Sequence, residues 1–197
     1  MGRNLNTPFS FTIVLIAAFA TSGSVHAGQI FQWDSGRPIL SDEYELYGYN
    51  SAKCVTLHGD NLENDAIIDI WGCQHKINQK WTFGSFDWAN SANTGRYALV
   101  NRLSGKCLTA GPRGGSTDED EFQQIHVYQY ACSSEYNPYQ LWEMNQSWDY
   151  RTYWFIENVG TKKCLSVSKG QTNEGAAMTV WACDTTTPST NQLYYFW

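Results

Sequence analysis

One unit of sequence occurs three times in this chain, and a chain built of three similar units has few folds open to it. Each copy opens at a tyrosine, alternates apolar and polar residues, and reaches Lys-Cys; the openings are YELYGYNSAKCVTL from Tyr44, YALVNRLSGKCLTA from Tyr97 and YWFIENVGTKKCLSV from Tyr153. A second apolar run then ends in aromatic-x-Cys (IDIWGC, HVYQYAC, MTVWAC), and a polar loop leads to Gln-x-aromatic (NQKW, YQLW, NQLY). Because these features recur in one order, the sequence predicts three copies of one structural unit.

The alternation of apolar and polar residues between turn residues predicts that each unit is built of short β-strands. A solenoid would need capped ends, and these three units lack capping repeats. Three β units that cannot bury their apolar faces alone are expected to close around a shared axis. We therefore predict an all-β fold, a β-trefoil over residues 44–197, with repeats at about 44–96, 97–152 and 153–197 and a short N-terminal extension at 28–43.

The N-terminus has the pattern of a secretory signal peptide. Arg3 precedes an apolar run from Phe9 to Ala20, and Val25-His26-Ala27 places small residues where a signal peptidase cleaves. The apolar run is shorter than the roughly 20 residues that span a bilayer, although an uncleaved N-terminal anchor is the alternative. We predict a signal peptide at residues 1–27, no transmembrane segment, and a secreted, extracellular protein.

All six cysteines lie after the predicted signal peptide, which favours three disulfide bonds in an exported protein. Six cysteines allow fifteen connectivities. Because each repeat contains two cysteines, the repeat symmetry favours the pairs Cys54–Cys73, Cys107–Cys132 and Cys164–Cys183. Zinc ligation is the alternative, but no pair has the short spacing of a zinc knuckle. We expect no metal site.

Charge and motifs exclude several classes of function. The formal net charge is −6 and no basic run occurs, so the chain lacks the electrostatic footprint of a nucleic-acid-binding protein. Neither histidines at metal-ligand spacing nor a Gly-x-Ser-x-Gly motif is present, so we expect neither an enzyme nor a cofactor. The acidic run Ser116–Glu121 lacks the turn glycine of a calcium loop and is interpreted as a solvated loop. The nine tryptophans favour stacking on sugars or filling an interface.

The combination of Lys-Cys-Leu, aromatic-x-Cys and Asn-Gln-x-Trp resembles the ricin B-chain type of lectin domain, also called the R-type or Gln-x-Trp family. The likeness covers about Tyr44 to Trp197. It implies a β-trefoil whose shallow pockets bind sugars, often galactose or N-acetylgalactosamine. It also implies that the glutamine and aromatic residue of each Gln-x-Trp motif belong to the core; these are Gln79, Trp81, Gln140, Trp142, Gln192 and Tyr194.

The resemblance also implies which residues form the sugar pockets. Each pocket of the family combines an aspartate, a polar strand residue, a stacking aromatic residue and an asparagine. The matching residues are Thr56, Asp69, Trp71 and Asn78 in the first lobe and Ser166, Thr179, Trp181 and Asn191 in the third. The second lobe has Thr109, Tyr128, Tyr130 and Tyr139, and so lacks both the acid and the asparagine.

Thr56, Thr109 and Ser166 stand where the family has its aspartates, which is the main departure from the pattern. A hydroxyl forms weaker hydrogen bonds to a sugar than a carboxylate does, so we expect weakened pockets, with the first lobe strongest and the second inactive. Asp69 compensates in the first lobe if it faces the pocket, but an outward orientation is equally open. For Trp71 and Trp181, plain packing beside a disulfide is the alternative to sugar stacking.

Two functions follow from these interpretations. The first is a secreted lectin whose partners are glycans or glycoproteins. The alternative is a non-catalytic delivery or accessory subunit with a protein partner, because small trefoils similar to this one accompany the catalytic subunit of cytolethal distending toxins. Five tryptophans without an assigned role favour the alternative if they cluster on the surface; these are Trp33, Trp88, Trp148, Trp154 and Trp197.

Overall fold

A computed structural model describes residues 42–84, 95–111, 125–147, 149–150, 152–184 and 189–197. Twelve strands occur in these ranges, four for each predicted repeat. The first lobe contains β1 (Glu43–Gly48), β2 (Lys53–Leu57), β3 (Ile68–Trp71) and β4 (Lys80–Gly84). The second contains β5 (Arg96–Asn101), β6 (Cys107–Ala110), β7 (Ile125–Tyr130) and β8 (Trp142–Gln146). The third contains β9 (Trp154–Asn158), β10 (Lys163–Val167), β11 (Ala176–Trp181) and β12 (Tyr194–Phe196).

Short 3-10 turns are the other regular elements of the described residues. They span His58–Asp60, Ile77–Gln79, Pro138–Gln140, Ser168–Gly170 and Thr190–Gln192. The glutamine of each Gln-x-aromatic motif is the last residue of one of these turns. None of the helices in this part of the chain has the length and apolar character needed to span a membrane.

The first and fourth strands of the three lobes form a closed barrel. The antiparallel pairs run β1–β4, β4–β5, β5–β8, β8–β9, β9–β12 and β12–β1. A closed sheet leaves no unpaired strand edge. Closure therefore satisfies the backbone of units that would be incomplete alone.

The second and third strands of each lobe form hairpins that cover one end of the barrel. The hairpins are β2–β3, β6–β7 and β10–β11, and β11 also pairs with β3 and β7. Apolar residues from barrel and hairpins pack into one central core, which includes Leu46, Ile70, Leu108 and Val180. This arrangement is the predicted all-β trefoil.

The opening residue of each repeat pairs with the aromatic residue of its Gln-x-aromatic motif. Tyr44 lies opposite Trp81 and Tyr97 lies opposite Trp142. In the third lobe Trp154 takes this position opposite Tyr194. Tyr153, the predicted start of the third repeat, lies one residue earlier. The difference arises because the turn of this repeat is one residue longer and a tyrosine precedes the tryptophan.

The glutamines of the three motifs are buried and fasten the hairpins to the barrel. The Gln79 amide donates to Thr56 Oγ1 (3.1 Å) and to the Gly72 carbonyl (3.0 Å), and its oxygen accepts from the Gln74 backbone. Gln140 makes the same three bonds in the second lobe, to Thr109, Ala131 and Ser133. The aromatic residues Trp81, Trp142 and Tyr194 are fully buried. The prediction that these six residues are structural is confirmed.

The disulfides are Cys54–Cys73, Cys107–Cys132 and Cys164–Cys183, as predicted. Each joins the start of the second strand of a lobe to the segment that follows the third strand. A disulfide that closes a loop of this size stabilises the folded protein by roughly 3 kcal/mol in the chain-entropy description. The described residues contain no free cysteine.

Candidate functional site

The first lobe brings its four predicted pocket residues together. Thr56 and Asp69 lie opposite each other on β2 and β3, so their side chains share one face of the hairpin. Trp71 ends β3 with its side chain 36% exposed, and Asn78 lies in the adjacent 3-10 turn. Thr56, Trp71 and Asn78 line an open depression together with Gly59, Asp60, Gln74, Lys76 and Gln79, whereas Asp69 is not among its lining residues.

Asp69 faces the pocket side of the hairpin and is almost fully buried. Its Oδ2 accepts hydrogen bonds from the Trp71 indole (3.0 Å) and from His58 Nδ1 (2.5 Å). Burial raises the pKa of this carboxyl, while the bonds from His58 and Trp71 oppose the rise. The indole of Trp71 is therefore held in place by a carboxylate beneath it, and the outward orientation of Asp69 is ruled out.

Two acceptor atoms of this lobe are buried without a hydrogen-bond partner. They are Asp69 Oδ1 and Asn78 Oδ1, the only such side-chain atoms among the described residues. The Asn78 amide nitrogen is used, since it donates to the Leu57 carbonyl at 3.2 Å. Buried polar atoms are nearly always paired in folded proteins, so two unpaired acceptors beside one depression are unusual.

Thr56 lines the depression, but its hydroxyl already makes two hydrogen bonds within the protein. It donates to the Cys54 carbonyl at 2.8 Å and accepts from Gln79. Thr109 repeats this arrangement in the second lobe, with Cys107 and Gln140. The residues at the family's aspartate positions in these two lobes therefore hold the glutamine of the motif.

The third lobe also gathers its predicted residues around an open depression. Ser166 and Thr179 lie opposite each other, and Trp181 at the end of β11 is 45% exposed. The amide of Asn191 donates to Ser166 Oγ at 2.8 Å. The lining residues are Ser166, Val167, Lys169, Gly170, Thr179, Trp181, Ser189, Asn191 and Gln192.

The floor of this third-lobe depression is neutral. The Thr179 hydroxyl donates to the Ile125 carbonyl of the neighbouring lobe at 2.9 Å, and Asn191 Oδ1 accepts from the Ser189 hydroxyl. Lys169 is the one charged residue of the lining. In the third lobe Thr179 takes the position that Asp69 has in the first lobe, so this position carries no carboxylate.

In the second lobe Tyr139 occupies the position of the pocket asparagine. Its ring lies between two glycines: a Cβ atom added to Gly111 or to Gly160 would stand 2.7 Å or 2.6 Å from Tyr139 Cδ1. Of the other predicted residues, Tyr128 is buried and Tyr130 is 41% exposed. The Tyr139 ring therefore fills the space beside these two glycines.

Two further features bear on the sequence predictions. Trp154 is half-buried and Trp197 is exposed, with Trp197 against the His75 ring at a centroid distance of 4.9 Å. The other three unassigned tryptophans, the acidic run 116–121 and residues 1–41 lie outside the described residues. The described chain holds one group of potential metal ligands, Glu45 with Cys54 and Cys73, but these sulfurs form a disulfide and are not thiolates.

The protein is a lectin-like trefoil: three lobes, each with one disulfide, form a barrel, and two of them have an open depression beside an exposed tryptophan. The chain belongs to the family described as ricin-type beta-trefoil lectin domain-like, whose sequence profile matches residues 77–181 and 138–196, more than half of the chain. The predicted family is confirmed. Comparison with curated protein sequences gives no match.

Solved structures confirm the fold. The designed three-fold symmetric protein ThreeFoil is 23% identical with a TM-score of 0.65, over 78% of this chain and 96% of ThreeFoil. The Macrolepiota procera ricin B-like lectin, solved with lactose, is 17% identical with a TM-score of 0.59, over 81% and 97% of the two chains. The Haemophilus ducreyi cytolethal distending toxin is 18% identical with a TM-score of 0.57, over 79% of this chain and 82% of the toxin chain.

Proposed function

We propose that this protein is a secreted lectin that binds glycans through its first and third lobes and not through its second. In this proposal residues 1–27 are a signal peptide, residues 28–43 an extension, and residues 44–197 the binding domain. Three disulfides in one domain are typical of extracellular proteins. The partners are glycans or glycoproteins.

The chemistry of a sugar matches what the two lobes offer. A pyranose ring has an apolar face, which suits an exposed indole, and several hydroxyls, which need fixed hydrogen-bonding groups. Trp71 and Trp181 supply the indoles. Asn78 and Asn191, each held by a backbone carbonyl, supply the amides. Asp69 adds a carboxylate to the first lobe and makes it the stronger site.

The observation that carries the proposal is the pair of unpaired buried acceptors, Asp69 Oδ1 and Asn78 Oδ1, in the lobe that carries the exposed Trp71 ring. Leaving a buried acceptor unpaired costs about 1–3 kcal/mol. A ligand that donates two hydroxyl protons at this depression would recover part of that cost after a small movement of the two side chains. We propose a galactose-type sugar as the first ligand to test, because the Macrolepiota procera lectin was solved with lactose.

A glycan array on the mature protein tests the proposal, with Trp71→Ala, Trp181→Ala and the double variant beside the wild type. Each single substitution is expected to weaken binding, more strongly at Trp71, and the double variant is expected to bind nothing. Trp197→Ala is the matched control, since this tryptophan is 41% exposed and lies outside both depressions. Full binding by a folded double variant would refute the proposal.

The alternative function is a non-catalytic accessory subunit that binds a protein partner. The neutral residues Thr56 and Ser166 at the aspartate positions favour it, as does the match to a cytolethal distending toxin. A silent array with a folded protein, together with cell binding that Trp71→Ala and Trp181→Ala leave unchanged, would support this alternative over the lectin.

A further inference from the structure

Five tyrosines from three distant segments meet on the outer wall of the barrel. We define them as the tyrosine platform: Tyr47, Tyr49, Tyr150, Tyr153 and Tyr195. Tyr47 and Tyr195 lie opposite each other on β1 and β12. Their neighbours Leu46, Tyr194 and Phe196 are fully buried, so strand alternation turns the two platform tyrosines outward.

Four rings of the platform, those of Tyr49, Tyr150, Tyr153 and Tyr195, contact one another. Tyr49 is 39% exposed and its ring centroid lies 4.9 Å from that of Tyr153 and 5.2 Å from that of Tyr150. Tyr153 also contacts Tyr195 at 6.1 Å. Burial raises the pKa of the Tyr153 phenol above its ordinary value of 10.0, and a phenol is in any case neutral at neutral pH. The platform thus combines apolar ring surface with uncharged hydroxyls.

The platform borders the third-lobe depression. Asn50, the residue after Tyr49, donates to the carbonyl of Gly170 at 3.2 Å, and Gly170 lines that depression. The Asn50 side-chain oxygen also accepts from Thr190, which stands between the lining residues Ser189 and Asn191. The Tyr49 backbone is bonded to the Leu193 carbonyl at 2.9 Å. These contacts join the edge of the platform to the wall of the pocket.

We propose that the tyrosine platform is a second subsite, which binds the inner sugars of a linear oligosaccharide whose terminal sugar lies in the third-lobe pocket. This inference rests on the proposed function. Tyrosine also suits protein interfaces, but continuity with a sugar-type pocket favours a glycan as the occupant. Ring faces stack on sugars and phenol hydroxyls bond them, without any charged group.

The ligand class that follows is a linear, uncharged oligosaccharide rather than a single sugar. The test compares chain lengths on an array that carries galactose, N-acetylgalactosamine, glucose and mannose, each alone and as the terminal unit of linear di- and tetrasaccharides. The wild type is expected to bind the tetrasaccharide about tenfold more tightly than the single sugar, a gain of the size expected for one or two aromatic stacking contacts.

Tyr49→Ala is expected to remove this gain and to leave binding of the single sugar unchanged. Tyr49→Phe, which keeps the ring, is expected to retain most of the gain. Tyr136→Ala is the matched control, because Tyr136 is 57% exposed and lies outside the platform. Thermal melting of each variant confirms that it is folded.

The outcomes separate this inference from the function on which it rests. Single-sugar binding that depends on Trp181, with a tetrasaccharide gain that Tyr49→Ala leaves intact, would overturn the platform and keep the lectin. Absence of glycan binding by the wild type would overturn both. If Tyr49→Ala lost binding to a protein partner and kept all glycan binding, the platform would be a protein interface, which would contradict the inference.

Discussion

The first and second lobes have the same framework but different residues at the pocket positions. In both, a threonine hydroxyl accepts from the motif glutamine, and a buried tryptophan donates its indole proton to a strand carbonyl, Trp81 to Val55 and Trp142 to Leu108. They differ before the motif glutamine, where the buried Asn78 of the first lobe is replaced by Tyr139, whose ring lies between Gly111 and Gly160. The two lobes thus keep the same framework contacts and differ at the residue that precedes the motif glutamine.

The largest expected effect comes from the shared framework. Trp81→Ala and Trp142→Ala each remove a fully buried indole, and we expect each to lower the free energy of unfolding by about 3–5 kcal/mol. Chemical denaturation of both variants measures this. A loss confined to one of the two would contradict the claim that the lobes share one framework.

The next effect concerns the packing of the Tyr139 ring in the second lobe. A Cβ at Gly160 would stand 2.6 Å from the Tyr139 ring and 3.0 Å from its backbone nitrogen, so Gly160→Ala is expected to cost about 1–3 kcal/mol by overpacking. Gly72→Ala of the first lobe is the control, because its Cβ would meet only the carboxylate end of the Glu174 side chain, at 3.2 Å. Equal stabilities of the two variants would show that the ring is not tightly held.

A smaller effect is the pH dependence that Asp69 gives to the first lobe. Because burial raises the folded-state pKa of Asp69 above its ordinary 3.8, the wild type loses stability as the pH rises through that elevated pKa. Asp69→Asn has no such group, so the stability of the wild type relative to this variant should be greatest below pH 3.8 and fall as the carboxyl ionises. Denaturation series across this range check the sign; a rise of the wild type relative to the variant would contradict it.

The smallest effect is a gain of function. Tyr139→Asn combined with Tyr130→Trp gives the second lobe the asparagine and indole of the other two. We expect weak additional binding, because Tyr128 still stands where the first lobe has Asp69. Calorimetric stoichiometry with the tightest array glycan should rise from two sites toward three. An unchanged stoichiometry would mean that other residues of the second lobe prevent glycan binding.

The framework could be predicted from the sequence because its residues recur in all three repeats. The strand alternation, the cysteine pairs and the buried motif residues recur in each copy, so one lobe checks another. The features that sequence missed occur once and depend on contacts between distant residues. His58 is hydrogen-bonded to Asp69 across the hairpin, and the Tyr139 ring contacts Gly111 and Gly160, which follow two different strands, β6 and β9.

The tyrosine platform illustrates the same limit. Its members come from β1 and the turn after it, from the segment before β9, and from β12, and only closure of the barrel brings β1, β9 and β12 side by side. The one available signal was the outward position of Tyr47 and Tyr195 beside buried neighbours. A linear motif does not record a surface assembled in this way, whereas the pocket residues of each lobe lie close to its repeat motifs.

The central claim is that the first and third lobes bind glycans while the second does not. A titration of the ¹⁵N-labelled mature protein with the tightest array glycan, followed through the indole N–H signals, tests it most directly. We predict that the signals of Trp71 and Trp181 shift, with Trp71 saturating first, while those of the buried Trp81 and Trp142 stay in place. Absence of shifts at both exposed tryptophans, with binding still detected, would contradict the account.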